Sequence, residues 1–524
     1  MIGVLAHRVY RHLFFAQVIA LIGTGLSTVA LALLAHDLAG GQAGVVLGTA
    51  LAIKMVAYVG IAPLVGAYAS RLPRRMLLVS LDLLRAAVVC ALPFVTEVWQ
   101  IYLLIFLLNA CSAAFTPVFQ ATIPDILEDE DQYTRALSLS RLAYDLENLL
   151  SPMVAAALLM VMSFDVLFVL NALAFVISAS LAISVMLPES QPLEEIPGVW
   201  RRVSHGLRIY LKTPRLRGLL ALNLAVSAAG AMQIVNTVVL VRSMLGLGEK
   251  EVALAFSAAG GGSMLVALLL PKILDRVTER PVMLLGGVMM ALSLYLGWLG
   301  PSFAGLVGLW LLLGAGASLV MTPTGRLLKR SCQPEERPAL FAAQFSLSHS
   351  CWLLTYPLAG WLGVNLGLTE TFVLLGTLAL TATGLAMLAW PRRDPREIAH
   401  EHSPIGHSHL HYHDEHHKHD HEGWEGPEPH RHSHHHSRGS HRHVFVIDDH
   451  HAHWLFWSSQ SGHSFKPQLP VRFPLASDRP RSSGVGSCCT PSRYTRSHPA
   501  VPPGDLHTAG RPATRFSVSR RSVP

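Results

Sequence analysis

The sequence predicts an all-α membrane protein of twelve transmembrane helices in two pseudo-symmetric six-helix bundles, followed by a disordered C-terminal tail. Three observations predict it. The chain is 51% hydrophobic and only 14% charged, where a soluble domain carries about 25% charged residues. Up to Trp390 it is a succession of apolar runs, each long enough to cross ~30 Å of hydrocarbon. The landmarks between the runs also repeat at one offset. Ser70 and Asp275, Pro152 and Pro357, and Asp165 and Glu370 are each 205 residues apart, and Pro117 and Pro323 are 206 apart. A shared offset across four landmarks reads as a tandem duplication of one membrane unit.

In chain order, the expected spans of the first half are 13–38, 43–69, 76–95, 99–122, 137–162 and 164–186. The first run is too long for a signal-peptide core and is read as an uncleaved span. The second half is expected to span at 216–241, 250–271, 281–300, 303–327, 339–364 and 371–390. These divide the chain into an N-terminal bundle (1–190), a linker (191–215), a C-terminal bundle (216–391), a His-rich tail (392–457) and a disordered low-complexity tail (458–524). Pro192, Pro197 and Pro214 mark the linker as the hinge between halves.

The net charge of +7 would suggest nucleic acid in a soluble protein. Here the basic residues sit in alternate links, among them Arg71, Arg74, Arg75, Arg201, Arg202, Arg208, Arg276, Arg280 and Arg326. That is a topology signal placing both termini in the cytoplasm, and no nucleic-acid partner is expected. The six cysteines form no disulfide framework or thiolate metal site. The acidic link Asp125–Asp131 reads as a solvated turn, with a weak cation-docking patch as its alternative.

Ionisable residues inside a membrane are costly, and each asks for a role. Arg141 and Asp145 are four residues apart and can pair on one helix face, with Asn148 a turn further on. Glu147 lies two residues from Asp145, on another side of the helix, with no local partner. Glu147 and Asp145 are therefore the candidate proton or cation ligands. Lys54 is either a structural counter-ion or a charge displaced during transport. Asp82 and Arg85 read as a pair tied to the basic link, serving gating or folding. His349, 205 residues after Tyr144, is either a hydrogen-bonded structural histidine or a neutral imidazole ligand.

The tail carries His400, His402, His407, His409, His411, His413, His416, His417, His419, His421, His430, His432, His434, His435, His436, His441 and His443, many in His-x-His or His-His spacing. Such spacing lets imidazoles converge on one ion without a core, and the segment should be disordered when metal-free. Imidazole ligation without cysteine favours Ni(II), Co(II), Zn(II) or Cu(II). Residues 464–524, with Cys488 and Cys489, are rich in Ser, Arg and Pro and read as disordered.

Twelve spans in two parallel halves resemble the major facilitator superfamily. The family pattern after the second span, G-x-x-x-D-R-x-G-R-R, is matched at Gly66, Arg71, Arg74 and Arg75, with Ser70 and Pro73 departing from it. The second copy keeps Asp275, Arg276 and Arg280 but has Pro271 for the leading Gly. The resemblance implies that these residues form a cytoplasmic gate. With its tail, the chain resembles the bacterial nickel-resistance exporters of that superfamily. This implies a monomeric inner-membrane protein that is not an enzyme and needs no resident cofactor. Its partners would be the lipid bilayer, protons and a divalent metal ion, nickel first, with cobalt or zinc as alternatives. A drug or siderophore exporter with an incidental metal-buffering tail and a non-transporting membrane-anchored metal buffer or sensor are the rival readings.

Overall fold

An apolar run in hydrocarbon must satisfy its backbone polar groups within itself, so each run becomes a helix. The computed structural model describes residues 2–39, 43–188, 198–392, 394, 397–401, 405–411, 430–436, 440–444 and 446. The first half holds α1 (Arg8–Ala39), α2 (Ala43–Tyr68), α3 (Arg74–Ala91), α4 (Val98–Ile126), α5 (Glu130–Leu159) and α6 (Phe164–Ile183). Two short helices follow, α7 (Val199–Val203) and α8 (His205–Lys212), where the linker was expected to be a hinge. The second half holds α9 (Pro214–Val238), α10 (Glu249–Leu274), α11 (Glu279–Gly297) and α12 (Phe303–Met321). The short α13 (Thr324–Lys329) precedes α14 (Arg337–Asn365) and α15 (Leu368–Ala389).

Among the described residues, eleven helices are long and apolar enough to cross a membrane by composition alone. The twelfth expected span is α14, whose 29 residues extend roughly 43 Å at 1.5 Å per residue. Its apolarity is diluted by Gln344, Ser346, Ser348, His349 and Ser350, of which Ser346 and His349 face the other bundle.

The helix pairings repeat. In the first half α1 packs on α6, α2 on α4, and α3 on both α4 and α6. In the second half α9 packs on α15, α10 on α12, and α11 on both α12 and α15. These are the same pairings shifted by one repeat. Between halves, α2 packs on α14 and α5 on α10, two contacts that the repeat exchanges. Each bundle is held by its own core, around Phe168, Phe175 and Leu92 in the first and around Trp310, Phe372 and Trp390 in the second. Large apolar residues such as Leu103, Leu173, Leu268 and Leu385 remain exposed on the outer faces, where lipid would cover them.

Helix alternation gathers both ends of the helical body, the α2–α3 and α4–α5 turns, and the link bearing α7 and α8 on one side, called here the basic side. Beyond the helices, β1 (Glu397–Glu401) pairs antiparallel with β4 (Ser440–Val444), and β2 (Ile405–His411) with β3 (His430–His436). At these four segments the backbone is paired where disorder was expected, because His-x-His alternation also has the period-two repeat of a strand. The register sets His407 opposite His434, His409 opposite His432 and His411 opposite His430, and His400 opposite His441. His402, His413, His416, His417, His419, His421 and the expected tail 458–524 lie outside the described residues.

Candidate functional site

Halfway along α5 the two bundles meet through charge. Arg141 pairs with Asp145 at 3.0 Å, one turn on in the same helix. Ser263 of α10 joins them: its hydroxyl donates to Asp145 Oδ2 at 2.6 Å and accepts from Arg141 Nε at 2.8 Å. Asp145 is thus fully engaged in a three-residue bridge between halves. Asn148, expected to extend this pair, instead donates to its own helix at Tyr144 O, 2.9 Å away.

Glu147 turns away from that bridge. Its Oε1 lies against α1 at Gly25, where an added Cβ would fall 2.9 Å from it and 2.2 Å from Ser151. Only a residue without a side chain lets α1 approach α5 this closely. Among the described residues Glu147 makes no hydrogen bond or ion pair, and its electrostatic partner is Lys54 of α2. The Lys54 amine sits 5.6 Å from the Tyr58 ring centroid. A cation over a ring face is attracted by the ring quadrupole.

His349 of α14 completes the group from the second half. Its ring meets Tyr58 edge-on with centroids 4.8 Å apart, and Phe345 lies at 4.2 Å. Nδ1 is 2.7 Å from Phe345 O. A carbonyl only accepts, so Nδ1 carries the proton and Nε2 keeps its lone pair. Lys54 is within electrostatic reach of His349 as well. Tyr58 and His349 thus meet at the α2–α14 contact, and Lys54 links them electrostatically to Glu147 on α5. The carboxylate can exchange a proton or a cation, and the imidazole offers a lone pair on the far side of Lys54.

Asp82 and Arg85 are not tied to the basic link. They pair with each other inside the first bundle, where Ser178 of α6 donates to Asp82 at 2.7 Å. The Arg85 guanidinium sits between the Phe115 and Phe175 rings, 4.1 and 4.5 Å from their centroids. The pair is walled in by α3, α4 and α6 and acts as internal support.

On the basic side the halves are clamped together. The acidic link is solvated at Glu128, Asp129 and Asp131, which are exposed, but not at Asp125 and Glu130. Asp125 takes hydrogen bonds from Arg74 of its own half and from Arg337 of the other. Arg326, buried, donates to Thr134 at 2.5 Å, pairs with Glu130 at 2.5 Å and with Glu279 at 3.0 Å. Lys329 donates to Glu128 O at 2.7 Å and to Leu127 O, a cation at the carboxyl end of α4. Gly66 allows α2 to touch α14, since a Cβ there would meet Ala342 at 2.5 Å. Higher up, Ser346 donates to Val59 O at 2.7 Å. The molecule is closed on its basic side.

Of the expected gate residues, Gly66 and Arg74 are in this clamp. Arg75 binds Ile183 O within its own half, and Arg71 is exposed at the turn. In the second copy, Arg280 donates to Trp390 O and Met387 O within its half, while Asp275 and Arg276 are exposed. Sequence reasoning missed Asp125, Glu130, Ser263, Glu279, Arg326, Arg330 and Arg337. A signal was present. Arg74 pairs with Asp125 and Glu279 with Arg330, and each partner is 205 residues from its counterpart with the charges exchanged.

A family model described as Major Facilitator Superfamily matches residues 13–279 and 222–412. The chain is 24% identical over 323 residues to the uncharacterized MFS-type transporter YfiS of Bacillus subtilis, covering 58% of this chain and 76% of that protein. It is 25% identical over 188 residues to macrolide efflux protein A of Enterococcus faecalis, spanning 33% of this chain and 57% of the relative. Among solved structures, the human organic anion transporter MFSD10 superposes with a TM-score of 0.64 at 15% identity, over 72% of this chain and 99% of that one. A bacterial homologue of the iron transporter ferroportin in its outward-facing state gives 0.60 at 16%, over 73% and 98%. Repeated helix pairings, a clamp between halves and the family match agree: this multi-pass membrane protein belongs to the major facilitator superfamily.

Proposed function

We propose that the protein exports a divalent transition metal ion, nickel first and cobalt or zinc next, from the cytoplasm in exchange for inward-moving protons. The observation that carries the choice of cargo is the tail register, which sets three His pairs at alternate positions of one antiparallel ladder. Alternate residues of a strand share a face, so these six positions belong to one face of the ribbon. Imidazole donors in that density suit these metals. The tail captures the ion on the basic side and raises its local concentration at the inner mouth.

The coupling lies at Glu147. A carboxylate there is balanced by the Lys54 charge, by a proton or by a cation. A proton and a metal ion compete for the same oxygens, so one leaves as the other arrives, which is the logic of exchange. His349 Nε2 supplies a second donor to the ion in transit. Opening the basic side requires breaking the Asp125–Arg337 and Glu130–Arg326 pairs, and the halves then rock about the middle. The test is flux of nickel, cobalt and zinc into or out of proteoliposomes under an imposed pH gradient. Flux that follows the gradient supports the reading, and no movement of any of the three removes it.

A second reading is export of an organic compound. It is favoured by the rings near the middle, Tyr58, Phe345, Trp352 and Tyr356, the last two 5.0 Å apart. It is also favoured because no group of three or more His, Cys, Asp or Glu gathers among the described residues. The macrolide efflux relatives point the same way. Loss of resistance to an organic compound on deleting the protein, with nickel tolerance unchanged, would select this reading.

A further inference from the structure

The link between halves is expected as a hinge, yet its described part is an amphipathic pair of helices. From Gly198 to Arg217 the chain has no acidic residue but carries Arg201, Arg202, Arg208, Lys212, Arg215 and Arg217. One face of α8 is buried. Gly206 lies so near α14 that a Cβ would fall 2.2 Å from Ala339 O, Tyr210 donates to Gln344 at 2.6 Å, and His205 is 3.1 Å from Glu336. Arg202 covers the Tyr68 ring at the end of α2. On the other face, among the described residues, Arg201 and Arg208 are exposed beside Val199, Leu211 and Trp200, the last 84% exposed.

Position makes this pattern informative. Pro214 begins α9, a membrane-crossing helix, directly after α8 ends at Lys212. The open face therefore lies at the level where apolar core gives way to headgroups. Trp is favoured at that level, and basic side chains there are drawn to anionic lipid. A solvent-facing helix would gain nothing from exposing Trp200 and Leu211 next to its arginines.

We propose that α7 and α8 form a docking surface for anionic phospholipid headgroups of the basic-side leaflet, with Arg201 and Arg208 holding the phosphate and Trp200 seated among the upper acyl chains. The same helices brace the first turns of α14, where Arg337 enters the clamp. Lipid bound there stabilises the state closed on the basic side.

The experiment titrates phosphatidylglycerol into the purified full chain in phosphatidylcholine–detergent micelles and follows thermal denaturation. The double variant Arg201→Gln/Arg208→Gln should need about twenty-five-fold more phosphatidylglycerol for half the stabilisation, each basic residue near an anionic surface being worth roughly fivefold. The control Arg8→Gln/Lys272→Gln, which removes two exposed basic residues elsewhere on the basic side, should behave as wild type. Equal losses in both variants, equal stabilisation by phosphatidylcholine alone, or the same effect from inorganic phosphate would overturn the proposal. A measurement independent of whether the double variant folds uses brominated lipid. Wild type should lose more fluorescence than Trp200→Phe with brominated phosphatidylglycerol and not with brominated phosphatidylcholine. Identical quenching of both proteins, or quenching indifferent to headgroup, contradicts it.

Discussion

The two halves share a scaffold but not its charges. Lys54, Asp82, Arg85, Arg141, Asp145 and Glu147 all lie within first-half helices. The residues 205 further on are Ala259, Gly287, Met290, Ser346, Ser350 and Trp352. The second half offers hydroxyls, one imidazole and aromatic rings at the same levels. After duplication, one copy has kept or gained the ionisable groups while the other became the apolar wall that they work against. The clamp shows the opposite economy. Both copies keep an ion pair at the same place but with signs exchanged, Arg74–Asp125 against Glu279–Arg330. Arg337 then reaches Asp125, and Arg326 reaches Glu130, so each half neutralises part of the other.

The largest expected effect tests that asymmetry. Glu147→Gln should lower pH-driven flux by at least about tenfold, equivalent to ~1.4 kcal/mol of barrier. Trp352→Phe, its second-half counterpart, should change flux by less than about twofold on the same scale. Equal effects would break the comparison.

Next comes the clamp. Asp125→Asn removes the charge that Arg74 and Arg337 share and should cost about 3 kcal/mol. Alkylation of a cysteine placed at Ala342 from the basic side should rise with it. Exchanging charges within the first half, Arg74→Asp with Asp125→Arg, restores a pair like that of the second half yet sets two arginines together at Arg337. Accessibility should therefore stay raised, and a return to wild-type protection would show that Arg337 is not part of the closure.

A third outcome separates support from transport. Asp82→Asn strands Arg85 between two rings and should destabilise the folded protein by about 3 kcal/mol. The rate per folded molecule should stay near wild type.

The smallest effect contrasts two glutamates one repeat apart, Glu130 and Glu335. Glu130 serves the clamp through Arg326. Burial, with the Glu336 charge adding to it, pushes the Glu335 carboxyl above its usual range. A carboxyl raised in the folded state favours folding at low pH, and that contribution is lost as pH rises from the unfolded value through the folded one. Glu335→Gln should accordingly raise the thermal midpoint at neutral pH and not at acid pH, while Glu130→Gln should lower it at neutral pH. Midpoints that move together would undo the distinction.

Much of the fold is legible in the chain, but unevenly so. Twelve apolar runs are legible; the one that becomes α14 is the most diluted by polar residues, and the repeat supports it, because Pro357 answers Pro152 in α5. The isolation of Glu147 is readable from its two-residue step from Asp145. The clamp is not, since Arg337 and Asp125 are 212 residues apart and local composition makes an acidic turn look solvated. The exchanged signs at the repeat offset would have disclosed it. Asp82 and Arg85 mislead for a related reason: their spacing predicts the pair, while its depth depends on rings supplied by α4 and α6. In the tail, the composition that argues against a core says nothing about backbone pairing between two alternating segments.

The central claim is that one first-half carboxylate exchanges a proton for a metal ion. Full-length protein in liposomes containing a pH-sensitive dye, given a nickel gradient and no pH gradient, tests it most directly. The account predicts proton movement opposite to nickel in wild type and none above background with Glu147→Gln. Nickel flux without proton movement, or counterflow that survives the substitution, would contradict it.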